Sequence, residues 1–174
     1  MVAERTVTMF VSNLLSFFFP PMCVHCHREG AWICDEGRRA LRAAQPLFNP
    51  IQVVGIDQII CRGSYDNEIL GAIIRALKYS GWSALQEALP ELLEPLLAHL
   101  PREAVIIPLP LHTKRQRERG FNQAQIIAEC LAKSRNQKIL PALRRIRATK
   151  QQAKLTEEER LNNVVGAFSL EKNI

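Results

Sequence analysis

IIPLPLHTKRQRERGFNQ, residues 106–123, joins a short apolar run to a strongly basic segment. The run at residues 104–109 is wholly apolar and stopped by prolines, which predicts a strand buried on both faces of a parallel sheet. A polar loop with four cations and one anion is expected at residues 112–120, and Asn122 is placed to cap the next helix. Ligands of open α/β sheets bind beyond the carboxyl ends of the strands, and helix starts favour anions. The segment therefore predicts a phosphate or diphosphate site, with a solvated basic loop as the alternative.

The sequence before this stretch follows an α/β pattern from residue 52 onward. Residues 53–61 are β-branched and apolar, which predicts a strand, and Asp66 is placed to cap the helix that follows. A leucine-rich segment after Ser83 predicts a second helix, which Pro90 and Pro95 should kink or divide.

The sequence after the basic segment continues the pattern. Thr156 with Glu159 predicts a capping box for a short helix. Residues 167–170 have the start of a strand pattern, so we expect a strand–helix–strand protein to continue beyond residue 174. The predicted fold class is α/β.

Composition limits the class of protein. A length of 174 residues suits one domain, or one domain with a small appendage, and 47% hydrophobic residues supply a core. The net charge of +6 favours anionic partners such as phosphates, nucleic acid or acidic membrane surfaces. Pro46 and Pro50 predict a boundary between an N-terminal unit at residues 1–50 and a domain at residues 51–174.

The N-terminal unit carries a candidate metal site. Cys23 and Cys26 form a C-x-x-C knuckle, and Cys34 follows; paired knuckles bind zinc because each brings two thiolates to one tetrahedron. The position expected for a fourth cysteine is Gly37. Candidates for the fourth ligand are His25 and His27, or less suitably Asp35 and Glu36. The predicted metal ligands are Cys23, Cys26, Cys34 and His27. The alternative is a degraded ribbon with reduced cysteines and no zinc.

The cysteines and the N-terminal residues predict the cellular compartment of the protein. An odd total of five cysteines with one tight pair predicts free thiols in a reducing compartment, hence the cytoplasm. Residues 7–19 are apolar but too short to span a bilayer, and no cleavage site follows. We expect a helix packed on the domain there and no transmembrane segment; weak contact with a membrane surface is the alternative.

The motifs together resemble a known family. PLPLH at residues 108–112 and RERGFNQ at residues 117–123 are similar to the hallmark of the ComF family, which includes the bacterial GntX proteins. Three other stretches agree with the resemblance: FPP at residues 19–21 before the cysteines, Tyr65 through LKY at residues 77–79, and the R-x-T-x-x-Q, R-x-x-N-V and G-A-F motifs at residues 147–168. The similarity covers about residues 14–170.

The resemblance implies a type I phosphoribosyltransferase fold, here a partial parallel sheet with an N-terminal zinc-ribbon-like unit. It implies a glycosyltransferase-class activity and a role in DNA uptake during competence or in nucleotide metabolism. The implied ligand is phosphoribosyl diphosphate or another phosphorylated molecule. The residues implied to face it are Lys78, Arg115, Arg119, Gly120, Asn122, Gln123 and Arg160. Without the resemblance, Lys78 is equally consistent with an ordinary surface lysine.

One family motif is absent from these residues. The acidic pair followed by Thr-Thr-Gly, which would contact ribose and its 5′-phosphate, does not occur, and Mg²⁺ is expected only with that loop. We therefore expect a chain truncated before the phosphoribosyl diphosphate loop and inactive alone. An alternative class is a basic adaptor without catalysis, in which residues 114–119 and 144–150 contact single-stranded DNA, or which binds a DNA-uptake protein. Few aromatic side chains flank these clusters, which disfavours the binding of single-stranded DNA, because its bases stack on aromatic rings.

Overall fold

The computed structural model describes residues 20–49, 54–64, 66–79 and 88–171, and the chain divides into two units, Met1–Pro95 and Leu96–Ile174. The apolar run at residues 7–19 lies outside the described residues, so its helix stays a prediction. The boundary near residue 50 likewise stays a prediction.

The first unit combines helices with a small sheet. Its described elements are helix α1 (Asp35–Ala43), strands β1 (Leu47–Asn49) and β2 (Ile59–Cys61), helix α2 (Glu68–Tyr79) and helix α3 (Leu89–Leu97), whose last two residues belong to the second unit. Strands β1 and β2 pair antiparallel, with Phe48 opposite Ile60. The core lies between α1, α2 and α3 and the cysteine segment, and its fully buried side chains are Cys23, Ile33, Leu41, Ile73 and Leu89.

Polar contacts, most of them partly buried, connect the helices of this unit. Glu91 at the start of α3 accepts hydrogen bonds from two arginines of α1, from Arg38 Nη1 at 2.6 Å and from Arg42 Nε at 2.8 Å. Arg62 donates to the backbone carbonyls of Leu92 on α3 and of Leu41 and Ala44 at the end of α1. The Leu41 and Ala44 carbonyls lie at the carboxyl end of α1, where a helix leaves acceptors free, and Arg62 donates to both.

The second unit has shorter elements and a smaller core. It contains helices α4 (Thr113–Arg119) and α5 (Gln123–Arg135), strand β3 (Leu143–Arg145), a 3₁₀ turn (Gln152–Lys154), helix α6 (Glu157–Val164) and strand β4 (Phe168–Leu170). Strands β3 and β4 pair antiparallel, with Arg145 opposite Phe168. Its buried apolar side chains are small or medium in size: Ile126, Ala128, Ala132, Ala142 and Ala167.

A parallel bridge joins the segment before α4 to the segment after α5. The Ile106 amide donates to the Lys138 carbonyl and the Leu140 amide donates to the Ile106 carbonyl, each at 2.9 Å, with Ile106 opposite Ile139. Two helices lie between these segments in sequence, so the connection has the form of a strand–helix–strand crossover.

The described residues do not show the predicted parallel sheet, and they correct the predicted burial of residues 104–109. The described residues form two two-stranded antiparallel sheets, and parallel pairing is limited to the bridge at Ile106. Val105, Ile107 and Leu109 are 46–56% exposed, so the predicted strand at residues 104–109 is not covered on both faces. An apolar run does not by itself reveal how many neighbours a strand has, and the run was too short to decide it.

Two local predictions were also wrong. Residues 113–119 form helix α4 and not a loop, because their lysine, arginine, glutamine and glutamate side chains favour helix once His112 caps it. Asn67, and not Asp66, caps α2: its Oδ1 accepts from the Leu70 amide at 3.1 Å.

The predicted effect of the prolines on α3 and the predicted length of the strand at residues 53–61 were only partly right. Helix α3 runs through Pro95 without being divided, and residues 83–87 of the predicted helix lie outside the described residues. Of the predicted strand at 53–61, residue 53 is likewise outside them, and among residues 54–61 strand β2 occupies Ile59–Cys61. The capping box of α6 and the strand at Phe168 are confirmed.

Candidate functional site

Asn122 fixes the start of α5 beside the segment that follows Ile106. Its side-chain Oδ1 accepts from the Ala124 amide at 3.1 Å, which caps the helix as predicted, and its Nδ2 donates to the Leu109 carbonyl at 3.0 Å. One side chain therefore holds the helix N-terminus against the apolar segment, and the first amides of a thirteen-residue helix lie there.

Helix α4 lies between these two segments in the chain and carries four cationic residues, Lys114, Arg115, Arg117 and Arg119. His112 Nδ1 accepts from the Lys114 amide at 3.2 Å and begins the helix. Gly120 ends it with φ +80°, and its amide donates to the Gln116 carbonyl. A residue with a Cβ is disfavoured in this left-handed conformation, so glycine allows the sharp turn from α4 into α5.

The predicted anion-binding residues of this segment lie within nine positions of one another. Arg119 Nη1 donates to Gln123 Oε1 at 3.1 Å, which links the end of α4 to the first turn of α5. Arg115 Nε lies 3.9 Å from Glu118 Oε2, a long and partly exposed ion pair of the kind that contributes little energy. Guanidinium groups and the amides of a helix N-terminus are both groups to which phosphate anions bind.

Two predicted residues lie elsewhere. Arg160 is on α6, where its Nε donates to the Gln152 carbonyl at 2.9 Å and joins the helix to the 3₁₀ turn. Lys78 belongs to α2 in the first unit, and its side chain lies outside what the structure describes. The ligand roles of both residues stay predictions.

Sequence reasoning did not single out Arg145, which the structure makes conspicuous. Its Nη2 donates to Thr149 Oγ1, and its guanidinium carbon lies 5.2 Å from the centroid of the Phe168 ring. Its Nε is buried and has no hydrogen-bond acceptor among the described residues. The only signal in the sequence was membership of the basic stretch at residues 144–150.

An open cavity of about 480 Å³ lies beside α6, lined by Lys150, Leu155, Glu158, Glu159, Asn162 and Asn163. Its two carboxylates make it a poor anion site. None of the predicted ligand residues lines it.

The three predicted cysteine ligands come together at the start of α1. The Sγ atoms of Cys23, Cys26 and Cys34 lie within 4.8 Å of one another, and that of Cys26 is 3.7 Å from that of Cys34. Tetrahedral zinc with 2.3 Å bonds separates its sulfur ligands by about 3.8 Å, so the three thiols fit three corners of such a site. All five cysteines of the chain are free thiols.

Backbone amides donate hydrogen bonds to two sulfur atoms of this cluster. The Cys34 amide donates to Cys23 Sγ at 3.5 Å, and the Gly37 amide donates to Cys34 Sγ at 3.4 Å. Burial by itself would raise the pKa of the Cys23 thiol, but hydrogen bonds from neighbouring backbone amides outweigh it and lower that pKa to about 6. A thiolate is the form that binds metal.

The fourth corner has no ligand in this cluster. A Cβ at Gly37 would lie 3.0 Å from Ile33 Cγ2 and 3.1 Å from Ile69 Cδ1, so the expected fourth position is packed by apolar side chains. His27 has φ +58° and an exposed side chain, and in the described ranges the metal-capable group comprises the cysteines without it. His27 as a ligand stays a prediction.

Comparison with known proteins gives one distant similarity. The chain is 26% identical over 160 residues to Competence protein F of Haemophilus influenzae, an alignment that covers 86% of this chain and 64% of the relative. The chain thus spans less than two thirds of that relative's length. No protein-family model matches the chain, and no solved structure matches it. The similarity agrees with the ComF resemblance of the sequence motifs.

Among the helices of the described segments, none combines the length and the apolar character needed to cross a bilayer.

Proposed function

We propose that this chain is a ComF-type, phosphoribosyltransferase-like protein whose second unit binds a phosphoryl anion at the junction of α4 and α5. The observation that carries the proposal is the pair of hydrogen bonds made by Asn122. They hold the N-terminus of α5 at the end of the apolar segment, where an α/β fold binds its ligand.

The charges around this junction support an anionic ligand. Arg115 and Arg119 approach it from α4, and the first amides of α5 add the positive end of a helix dipole. The ion pair of Arg115 with Glu118 is long, at 3.9 Å, and the carboxylate is half exposed, so the pair contributes little energy of its own. A phosphoryl group matches both the arginine fork and the helix amides.

The fold proposed for the whole protein is the open parallel sheet of a type I phosphoribosyltransferase. The parallel bridge between Ile106 and Ile139, with α4 and α5 between its two segments, is what such a sheet requires of one crossover. The distant similarity to Competence protein F supports a role in competence and DNA uptake, or in the related nucleotide metabolism. We place the protein in the cytoplasm, in agreement with its free thiols.

For the 174 residues themselves we propose binding and not phosphoribosyl transfer. They contain no acidic pair followed by Thr-Thr-Gly, so the ribose and 5′-phosphate contacts of the family are not supplied by them. Arg160 and Gln123 are proposed as further ligand contacts of the second unit on the family resemblance, and Lys78 is proposed on the same ground as a ligand-binding residue of the first unit.

Zinc is the cofactor proposed for the first unit. Cys23, Cys26 and Cys34 would hold it, and it would crosslink the knuckle to the start of α1 as a structural ion.

Calorimetric titration with inorganic diphosphate tests the proposed anion site. We expect saturable binding by the wild type, weakened about tenfold or more in Arg115→Ala and in Arg119→Ala, because each removes a charge-assisted hydrogen bond. Arg102→Ala is the matched control, since it removes one exposed positive charge elsewhere in the same unit. Equal binding by all four proteins would show a nonspecific effect of net charge and reject the site.

The same variants separate this proposal from the adaptor alternative. A single-stranded oligonucleotide titrated at several salt concentrations should bind weakly and with little loss in Arg115→Ala. Tight, steeply salt-dependent binding of the oligonucleotide, with none of diphosphate, would favour the adaptor.

A further inference from the structure

Arg145 is a partly buried cation whose hydrogen-bond donors are incompletely paired. It is in β3, opposite Phe168 on β4, and the Phe168 ring lies beneath its guanidinium at 5.2 Å. The Thr149 hydroxyl accepts one of its five N–H groups. Its Nε–H is buried without an acceptor, which is unfavourable for a charged donor.

The neighbouring charges add to this cost and do not relieve it. Burial lowers the pKa of Arg145, and the charges of Arg115 and Arg147 lower it further. Within the described ranges no carboxylate lies within 4.0 Å of Arg145. Arg147 is itself held in place, since its Nη2 donates to the backbone carbonyls of Asn163 and Val165.

A bound anion would account for the orphaned donor and the uncompensated charge together. A buried polar group without a partner in a native protein calls for an explanation such as a missing ion. Arg115 on α4 is near enough for its charge to act on Arg145, and its own ion pair with Glu118 is long, at 3.9 Å, and partly exposed. Phosphoryl oxygens accept from two arginines at once, and a group with two negative charges offsets both cations.

We propose that Arg145 is a further ligand-binding residue and that Arg145 and Arg115 bind the same phosphoryl group, from β3 and from α4. This rests on the proposed anion site at the junction of α4 and α5. It extends that site to the β3–β4 sheet, and it assigns to the site a doubly charged phosphoryl group in preference to a monovalent anion.

The test compares Arg145→Met with the wild type by thermal unfolding and by calorimetry with inorganic diphosphate. Methionine keeps an unbranched side chain over Phe168 but removes the charge. Without ligand, we expect the melting temperature to be equal to or above that of the wild type, because like-charge repulsion and the orphaned donor are removed. With diphosphate, we expect affinity about tenfold or more weaker and a correspondingly smaller rise in melting temperature.

Arg144→Met is the matched control. Arg144 is adjacent and exposed, with only a 4.0 Å contact to Glu171, so its loss should leave diphosphate affinity within about twofold. The double variant Arg115→Ala, Arg145→Met should lose less than the product of the two single losses, because both residues bind one group.

The outcomes are separable. Undiminished diphosphate affinity in Arg145→Met, with Arg115→Ala weakened, overturns this inference and leaves the proposed site intact. A lower melting temperature with an unchanged response to diphosphate assigns Arg145 a structural role and also overturns it. No binding by the wild type overturns both. Should Arg145→Met fail to fold, Arg145→Lys decides the question: it keeps the charge but loses the two-armed donor, and unchanged affinity would count against the inference.

Discussion

Cys34 performs two separable tasks, and substituting it distinguishes the metal site from ordinary helix capping. Its Sγ accepts from the Gly37 amide at 3.4 Å as the N-cap of α1, and it lies 3.7 Å from the Sγ of Cys26 in the thiol cluster. Cys34→Ser keeps a capping acceptor but supplies a poor ligand for zinc. Cys34→Ala removes both functions.

The expected free energies of unfolding follow from these two tasks. Loss of an N-cap acceptor destabilises a helix by about 1 kcal/mol, so with chelator present Cys34→Ala should be about that much less stable than the wild type. Cys34→Ser should match the wild type there. With free zinc at about a hundred times the dissociation constant, the wild type should gain about 2.7 kcal/mol, and both variants should gain far less.

Urea unfolding followed by circular dichroism, in reductant with either zinc or chelator, measures these differences. Cys130→Ser is the control, because Cys130 lies outside the thiol cluster and should leave the zinc-dependent gain unchanged. A wild type whose stability is the same in zinc and in chelator, or a Cys34→Ser variant that keeps the full gain, would refute the assignment of a metal site.

Substitutions at four further positions test the packing and capping. Arg62→Ala should destabilise the first unit by about 3 kcal/mol in urea unfolding, because it removes three hydrogen bonds to backbone carbonyls. Arg62→Lys should recover part of the loss, and a change below about 1 kcal/mol would contradict the contacts. Asn122→Ala should cost about 2 kcal/mol of stability, from one cap and one hydrogen bond to a carbonyl, and should weaken diphosphate binding in calorimetry; Asn122→Asp should restore the cap but not the binding. Thr156→Ala should cost about 1 kcal/mol near neutral pH. Hydrogen bonds from the Thr156 backbone amide and hydroxyl lower the pKa of Glu159. The stabilising contribution of the Glu159 carboxylate is therefore present above its ordinary pKa of 4.5 and is lost as pH falls through the folded value. A difference in stability between wild type and Glu159→Gln that does not change with pH would contradict this.

Local signals in the sequence predicted local structure well. The caps at Asn122 and Thr156 and the proximity of Cys23, Cys26 and Cys34 follow from side chains acting on neighbours a few residues away. Such interactions depend on spacing, and spacing is what a sequence displays.

The failures concern partners that are distant in the chain. Whether residues 104–109 would be buried depended on which strands flank them, and their composition carries no information on that. Helix α4 was missed because its charge suggested a loop, although the same residues are good helix formers. Arg145 could not be singled out because its burial against Phe168 and its proximity to Arg115 arise only on folding.

The central claim is that one phosphoryl anion binds where α4 turns into α5. Titration of isotopically labelled protein with inorganic diphosphate, observed through assigned backbone amide resonances, tests it directly. We predict saturable shifts that are largest for Gly120, Gln123 and Ala124, at the α4–α5 turn and the first turn of α5. Shifts that do not saturate, or that are spread evenly over the lysines and arginines of the chain, would contradict it.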